Sequence, residues 1–122
     1  TGVWLSDNAQ LPTELVPIPP AWDHAAGRRI GAVALDTVFA GWDGRAEIAL
    51  DPTPVTIAIE ASAIFRHIVV YTPPGAAFFC VEPVSHMTDA VNRLATRADT
   101  GLAVLPPGGA LDGEIAFRLR PG

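Results

Sequence analysis

Residues 78–89 read FFCVEPVSHMTD and join a short apolar run to a polar segment. The aromatic and β-branched residues at 78–81 predict a strand that is covered on both faces. Pro83 cannot donate a hydrogen bond to a sheet ladder, so we expect the regular strand to end there. Glu82 lies at this end, where a carboxylate is costly to bury unless another group pairs with it or uses it.

Two interpretations of Glu82 follow from this position. In a ligand site, burial would make the carboxyl a better base at neutral pH. In a structural role, the side chain would be a strand-end glutamate that is solvated or held in a salt bridge. The local pattern alone favours the structural role, because structural carboxylates are also found in such surroundings.

The composition indicates one globular domain built from strands. A chain of 122 residues is expected to form a single domain, and 49% apolar with 17% charged residues is typical of a folded protein. Twelve prolines and eleven glycines divide the sequence into many short segments, which favours an all-β protein. About seven or eight strands with regularly spaced turns predict an antiparallel sandwich or barrel.

Charge and cysteine content argue against several classes of function. The formal net charge is -5 and all eight bases are scattered arginines, so we expect no nucleic acid partner. There is no apolar run long enough to span a membrane and no signal pattern, so we expect no membrane partner and a cytoplasmic location. Cys80 is the single cysteine and the histidines form no metal pattern, so we expect neither a metal nor another cofactor.

Alternating and apolar segments give the expected strands. The cleanest alternation is at 55–60, and a four-residue spacing predicts one or two turns of helix within 87–98, with Arg93 and Arg97 exposed. A lone strand histidine, His67, is expected to be packed rather than to bind a ligand. The other expected strands are 3–6, 30–39, 45–50, 66–71, 102–105 and 111–119.

Asp36 lies within the apolar run 30–39, although aspartate is depleted in strands. It could form an Asx-type turn or a bend in the strand. It could instead point into a cleft and accept hydrogen bonds from ligand hydroxyls. The local pattern does not decide between these two alternatives, and by residue chemistry alone the function stays open.

Two longer motifs carry a family resemblance. Residues 35–44 (LDTVFAGWDG) and 79–92 (FCVEPVSHMTDAVN) resemble the aldose 1-epimerase, or galactose mutarotase, family. The proline-rich segment 15–20 and the LPPGG turn within 102–111 are similar to neighbouring parts of the same family. The resemblance covers essentially the whole chain, with both motifs in the family's order and spacing.

The resemblance implies an antiparallel β-sandwich of the galactose mutarotase type that interconverts the α and β anomers of a free hexose. It also implies that Glu82 is the general base and that Asp36 hydrogen-bonds sugar hydroxyls. His86 does not match the position of the family's acid, and we regard it as a possible substrate-binding residue of the cleft.

The chain departs from the family in length. The family's general-acid histidine and a sugar-binding arginine lie in an N-terminal half for which this sequence has no matching motif, so residues 1–122 resemble the C-terminal half. A half-sandwich would leave strand edges and an apolar face in water. We therefore expect a partner, either the N-terminal half of the same protein or a second copy of this chain.

Three functional hypotheses remain at this point. The first is an aldose 1-epimerase that acts on a monosaccharide and needs the N-terminal half for full activity. The second is a carbohydrate-binding sandwich without catalysis, which the absence of the acid motif favours for the isolated chain. The third is a structural or interaction domain in which Asp36 and Glu82 have no ligand, since a fold alone does not establish an activity.

Overall fold

Eight strands and one short helix follow one another in the computed structural model, which describes residues 1–97 and 99–121. The strands alternate with turns rich in proline and glycine, as the composition predicts. The elements are β1 (Gly2–Ser6), β2 (Pro12–Val16), β3 (Asp36–Ala40), β4 (Arg45–Leu50), β5 (Val55–Ala61), β6 (His67–Tyr71), β7 (Cys80–Val84), α1 (Ala90–Arg93) and β8 (Ile115–Pro121).

The strands form two antiparallel sheets. One sheet has five strands in the order β2-β1-β3-β6-β7, and the other has three in the order β4-β5-β8. The chain crosses from β3 to β4 through residues 41–44, where Gly41 and Gly44 both adopt a positive φ. Every strand pairing is antiparallel, which confirms the prediction of an all-β antiparallel sandwich.

Side chains alternate between the two faces of the five-stranded sheet, and we call the face that carries Val38 and Val69 the front face. Its core contains Trp4, Val38, Met87 and Ala90. Met87 is fully buried and Trp4 is 2% exposed. The irregular segment 85–102 thus lies across the front face and covers its centre.

Two arginines from this segment are not exposed as the helical pattern predicts. The guanidinium carbon of Arg97 lies 4.8 Å from the centroid of the Trp4 ring, and that of Arg93 lies 5.9 Å from it. Both side chains are half-buried. The prediction is wrong because the segment folds onto the sheet, so its arginines stack on the indole instead of reaching into solvent. The helix itself has four residues, about one turn, which is within the expected one or two turns.

The back face of the five-stranded sheet packs towards the three-stranded sheet. Val81 and Phe79 approach Ile57 and Ile59 across a cleft of about 360 Å³. Ile59 is 1% exposed and forms the best-buried part of this contact. The strand predicted at 55–60 is confirmed as β5, which is the central strand of its sheet.

The strand predicted at 78–81 is displaced along the sequence. β7 begins at Cys80 and continues through Pro83 to Val84, and Phe78 precedes it with 59% of its surface exposed. The prediction is wrong because β7 is an edge strand, which tolerates a proline and is not covered on both faces.

Residues 102–105 form no strand, contrary to expectation. Leu102 packs onto the core of the front face, so the segment crosses the sheet instead of pairing at its edge. Within the described residues, none of the helices has the length and apolar character that crossing a membrane requires.

Candidate functional site

Two carboxylates share the front face of the five-stranded sheet. Asp36 is the first residue of β3 and is directly opposite Tyr71 of β6, while Glu82 of β7 is directly opposite Val69 of β6. Directly opposed residues in antiparallel strands point to the same face. Since Val69 is also opposite Val38, Asp36 and Glu82 both belong to the front face, with one strand between them.

The sheet geometry sets the distance between these two positions. They are two strands apart and two residues apart along the strand direction. With standard strand spacing and rise, their Cα atoms are separated by about 10 Å across the strands and about 7 Å along them. The side chains can therefore reach opposite sides of one small ligand that lies over Tyr71 and Val69.

Both carboxylates are exposed and free of internal partners. Within residues 1–97 and 99–121, the carboxylates of Asp36 and Glu82 accept no hydrogen bond and form no ion pair. Glu82 is solvated, as the structural interpretation of this strand end expects, because the edge position of β7 opens its side chain to solvent; the burial that the ligand-site interpretation assumes is not found. The alternative of an Asx-type turn at Asp36 is not found among the described residues either.

A cavity of about 410 Å³ opens beside Glu82 on the front face. Val69, which is opposite Glu82, and Val84, two residues further along β7, form part of its wall. His86 lines the same cavity and is exposed, as the prediction of a cleft residue requires. The cavity is thus apolar on the sheet side and polar at the rim.

The His86 ring has a defined hydrogen-bond role. Its Nδ1 lies 2.9 Å from the carbonyl oxygen of Met87. Because a carbonyl oxygen can only accept, Nδ1 carries the proton in this contact. The other ring nitrogen, Nε2, then remains free to accept a hydrogen bond from a ligand hydroxyl.

His67 lies on the same face but is not available to a ligand. It is 3% exposed, which confirms that it is a packed strand histidine, and its Nδ1 has no hydrogen-bond partner among the described residues. Burial lowers the pKa of the His67 imidazole below its ordinary value, although a backbone contact at Ser85 acts in the opposite direction.

Tyr71 belongs to the site and has no signal of its own in the sequence. It is opposite Asp36 on the front face, and its ring centroid lies 6.4 Å from that of Phe78, with the planes tilted by 58°. Such a tilted pair is a favourable aromatic arrangement. Only the register between β3 and β6 shows that Tyr71 lies beside Asp36, and register is not a local property of the sequence.

The architecture places the chain in a known class of fold. No protein-family model matches the sequence. A crystal structure of a galactose mutarotase-like protein from Clostridium acetobutylicum superimposes on this chain with a TM-score of 0.78 at 16% sequence identity. The match covers 100% of this chain and 40% of that protein, so the chain has less than half the length of its structural neighbour. The comparison establishes a galactose mutarotase-like β-sandwich.

Proposed function

We propose that the front face binds a free hexose and interconverts its α and β anomers, as an aldose 1-epimerase does. In this proposal Glu82 is the general base, and Asp36 and His86 bind sugar hydroxyls. One observation carries the proposal: two exposed carboxylates, without internal partners among the described residues, face the same side of one sheet, and a cavity walled by Val69, the residue opposite Glu82, opens on that face. Both occupy the positions that the family resemblance assigns to the site.

The proposed reaction needs one base and one acid. Glu82 takes the proton from the C1 hydroxyl while an acid protonates the ring oxygen, and the bond between C1 and the ring oxygen breaks. The open-chain aldehyde rotates about the C1–C2 bond and closes on the other face, with both protons returned. Glu82 suits the first step because, among the described residues, no internal cation or hydrogen-bond donor occupies its carboxylate oxygens.

The proposed reaction also needs a group that protonates the ring oxygen, and the histidines of this chain differ in their access to the cavity. Among the described residues, His86 is the histidine that is both exposed and beside the cavity, whereas His67 is buried beneath the segment 85–102. His24 lies in the loop between β2 and β3, where its Nδ1 contacts the carbonyl oxygen of Trp22. Because Nε2 of His86 accepts a hydrogen bond in the proposed site, we infer that a solvent molecule or a second polypeptide supplies the proton.

A second candidate function is carbohydrate binding without catalysis. The observation that favours it is that the chain spans 40% of its structural neighbour, so groups that complete a catalytic site in a longer protein need not be present here. In this case the front face would bind a sugar through Asp36, Glu82 and Tyr71. The anomers of that sugar would interconvert only at the spontaneous rate.

Polarimetry of freshly dissolved α-D-glucose and α-D-galactose tests the catalytic proposal. We expect the chain to accelerate mutarotation above the spontaneous rate, and Glu82→Gln to lose this acceleration by about a hundredfold or more, as removal of a general base typically does. Glu14→Gln is the matched control, because Glu14 is an exposed glutamate on β2, at the opposite edge of the same sheet.

The outcomes separate the two candidate functions. A loss in Glu82→Gln together with full activity in Glu14→Gln supports the epimerase. Sugar binding without any acceleration by the wild-type chain assigns the front face to binding alone. Equal acceleration by wild type and Glu82→Gln would remove Glu82 from the mechanism.

A further inference from the structure

The inner face of the three-stranded sheet is only partly covered. Phe117 is 62% exposed and Leu119 is 75% exposed, both on the edge strand β8. Phe78 and Leu50 lie along the same cleft as Phe117 and are also exposed. We call these four residues, Leu50, Phe78, Phe117 and Leu119, the inner patch. A contiguous exposed patch of large apolar side chains is characteristic of an interaction surface.

The surface area of the chain supports the same conclusion. The chain exposes 8054 Å² for a mass of 12.8 kDa. A compact monomer of this mass would expose about 6,300 Å². The excess is roughly 1,800 Å², whereas a stable protein–protein interface requires only about 800 Å² from each partner. The irregular segments account for part of this excess area. Less than half of the excess would be enough for one side of a stable interface.

The charges on β8 indicate which kind of contact the inner patch can make. Arg118 and Arg120 alternate with Phe117 and Leu119, so they point away from the inner face. Their guanidinium groups lie 3.3 Å and 3.1 Å from the carboxylates of Glu60 and Glu47. The side chains that β8 presents to the inner face are therefore apolar, and they match an apolar partner surface.

We propose that a second copy of this chain covers the inner patch, with the two inner faces packed against each other around a two-fold axis. A two-fold contact uses the same patch on both copies, so one uncharged apolar surface is complementary to itself. Pairing of the β8 edges would instead place Arg118 and Arg120 beside the same arginines of the partner copy, and opposed like charges are destabilising. The face-to-face arrangement leaves the arginines in water with their glutamates.

This interface is separate from the sugar site. The inner patch lies on the side of the molecule where the two sheets meet, whereas Asp36 and Glu82 point from the front face. The proposal therefore does not depend on the proposed function.

Sedimentation equilibrium of the 122-residue chain at low to high micromolar concentration tests the proposal. We expect a monomer–dimer equilibrium in the wild type and a shift to monomer in Phe117→Thr/Leu119→Thr, since threonine keeps the β-propensity but not the apolar surface. Val104→Thr is the control, because Val104 is 72% exposed on an irregular segment outside the patch and should leave the dimer intact. A compact wild-type monomer at every concentration would overturn the proposal and leave the patch to strands of another polypeptide.

A covalent trap gives a second readout that does not depend on a weakened fold. In a Cys80→Ala background, Leu119→Cys should form a disulfide-linked dimer under mild oxidation, because a residue near a two-fold axis meets its own copy. Val104→Cys in the same background should remain monomeric. Equal crosslinking of the two variants would contradict the assigned interface.

Discussion

At the scale of single residues, the aspartates differ in what their carboxylates contact. Asp7 Oδ1 accepts hydrogen bonds from the backbone N–H groups of Ala9 and Leu11, and Asp43 Oδ1 accepts one from Arg45. These two carboxylates stabilise turns, as aspartate commonly does. Asp36 makes no such contact within the described residues, although it stands at the start of a strand. A turn contact therefore does not account for Asp36, and the proposed ligand on the front face would use its free carboxylate.

A prediction at the same scale concerns the pH dependence of stability. The pKa of His67 is lowered in the folded chain from its ordinary value of 6.5, chiefly by burial. Below that value the imidazole binds a proton more readily in the unfolded chain than in the folded chain. The contribution of His67 to the free energy of unfolding therefore falls as the pH drops below about 6.5. The maximum slope from one proton is about 1.4 kcal/mol per pH unit.

Urea unfolding at a series of pH values measures this effect. We expect the free energy of unfolding to decrease less steeply below pH 6.5 in His67→Gln than in the wild type. The two proteins differ only at position 67, so the difference between the slopes measures the effect of removing the imidazole. Identical slopes would show that burial does not disfavour the charged imidazole.

At the scale of elements, the segment 85–102 is fixed to the front face by its two ends. Met87 N–H donates to the Thr100 carbonyl oxygen at 2.9 Å, and Thr100 is 1% exposed. Gly101 follows with φ of 79°, and a side chain there would meet the Ser85 carbonyl oxygen and the His67 ring. The segment that carries His86 is thus closed over His67 by a glycine that has no room for a Cβ.

Two glycines allow this closure to be measured. Gly108 also has a positive φ, of 77°, but nothing lies near its Cβ position. We expect Gly108→Ala to cost about 1–2 kcal/mol for the left-handed backbone alone. Gly101→Ala should cost clearly more, because it adds a clash to the same backbone strain. Chemical denaturation of both variants tests this, and equal losses of stability would contradict the close approach at Gly101.

Sequence patterns predicted the elements well where burial alternates. The segments 45–50 and 55–60 alternate because each strand has one covered face, and both are strands in the structure. The strands predicted at the apolar runs 78–81 and 102–105 are wrong in position or absent. An apolar run is equally compatible with a strand, with a loop at the edge of a sheet and with a segment that packs across a sheet. Tertiary context, which the sequence does not display, decides among these.

At the scale of the whole molecule, the candidate site depends on strand register. Asp36 and Glu82 are 46 positions apart in the sequence, and β6 brings them to one face by pairing with both β3 and β7. Each carboxylate could be singled out from its local pattern, but their common face could not, because a slip of one residue would point one of them to the other side. The family resemblance predicted that Asp36 and Glu82 act in one site. The strand register shows that both side chains lie on the same face of the sheet.

The central claim is that one sugar contacts both β3 and β7 on the front face, and a titration of the ¹⁵N-labelled chain with D-galactose tests it most directly. We expect saturable chemical-shift changes that cluster at the amides around Asp36 and Glu82, and we expect Asp36→Asn to weaken them. Glu14→Gln should leave the titration unchanged. A wild-type titration in which neither strand responds, or in which the changes cluster elsewhere, would contradict the assignment of the front face as a sugar site.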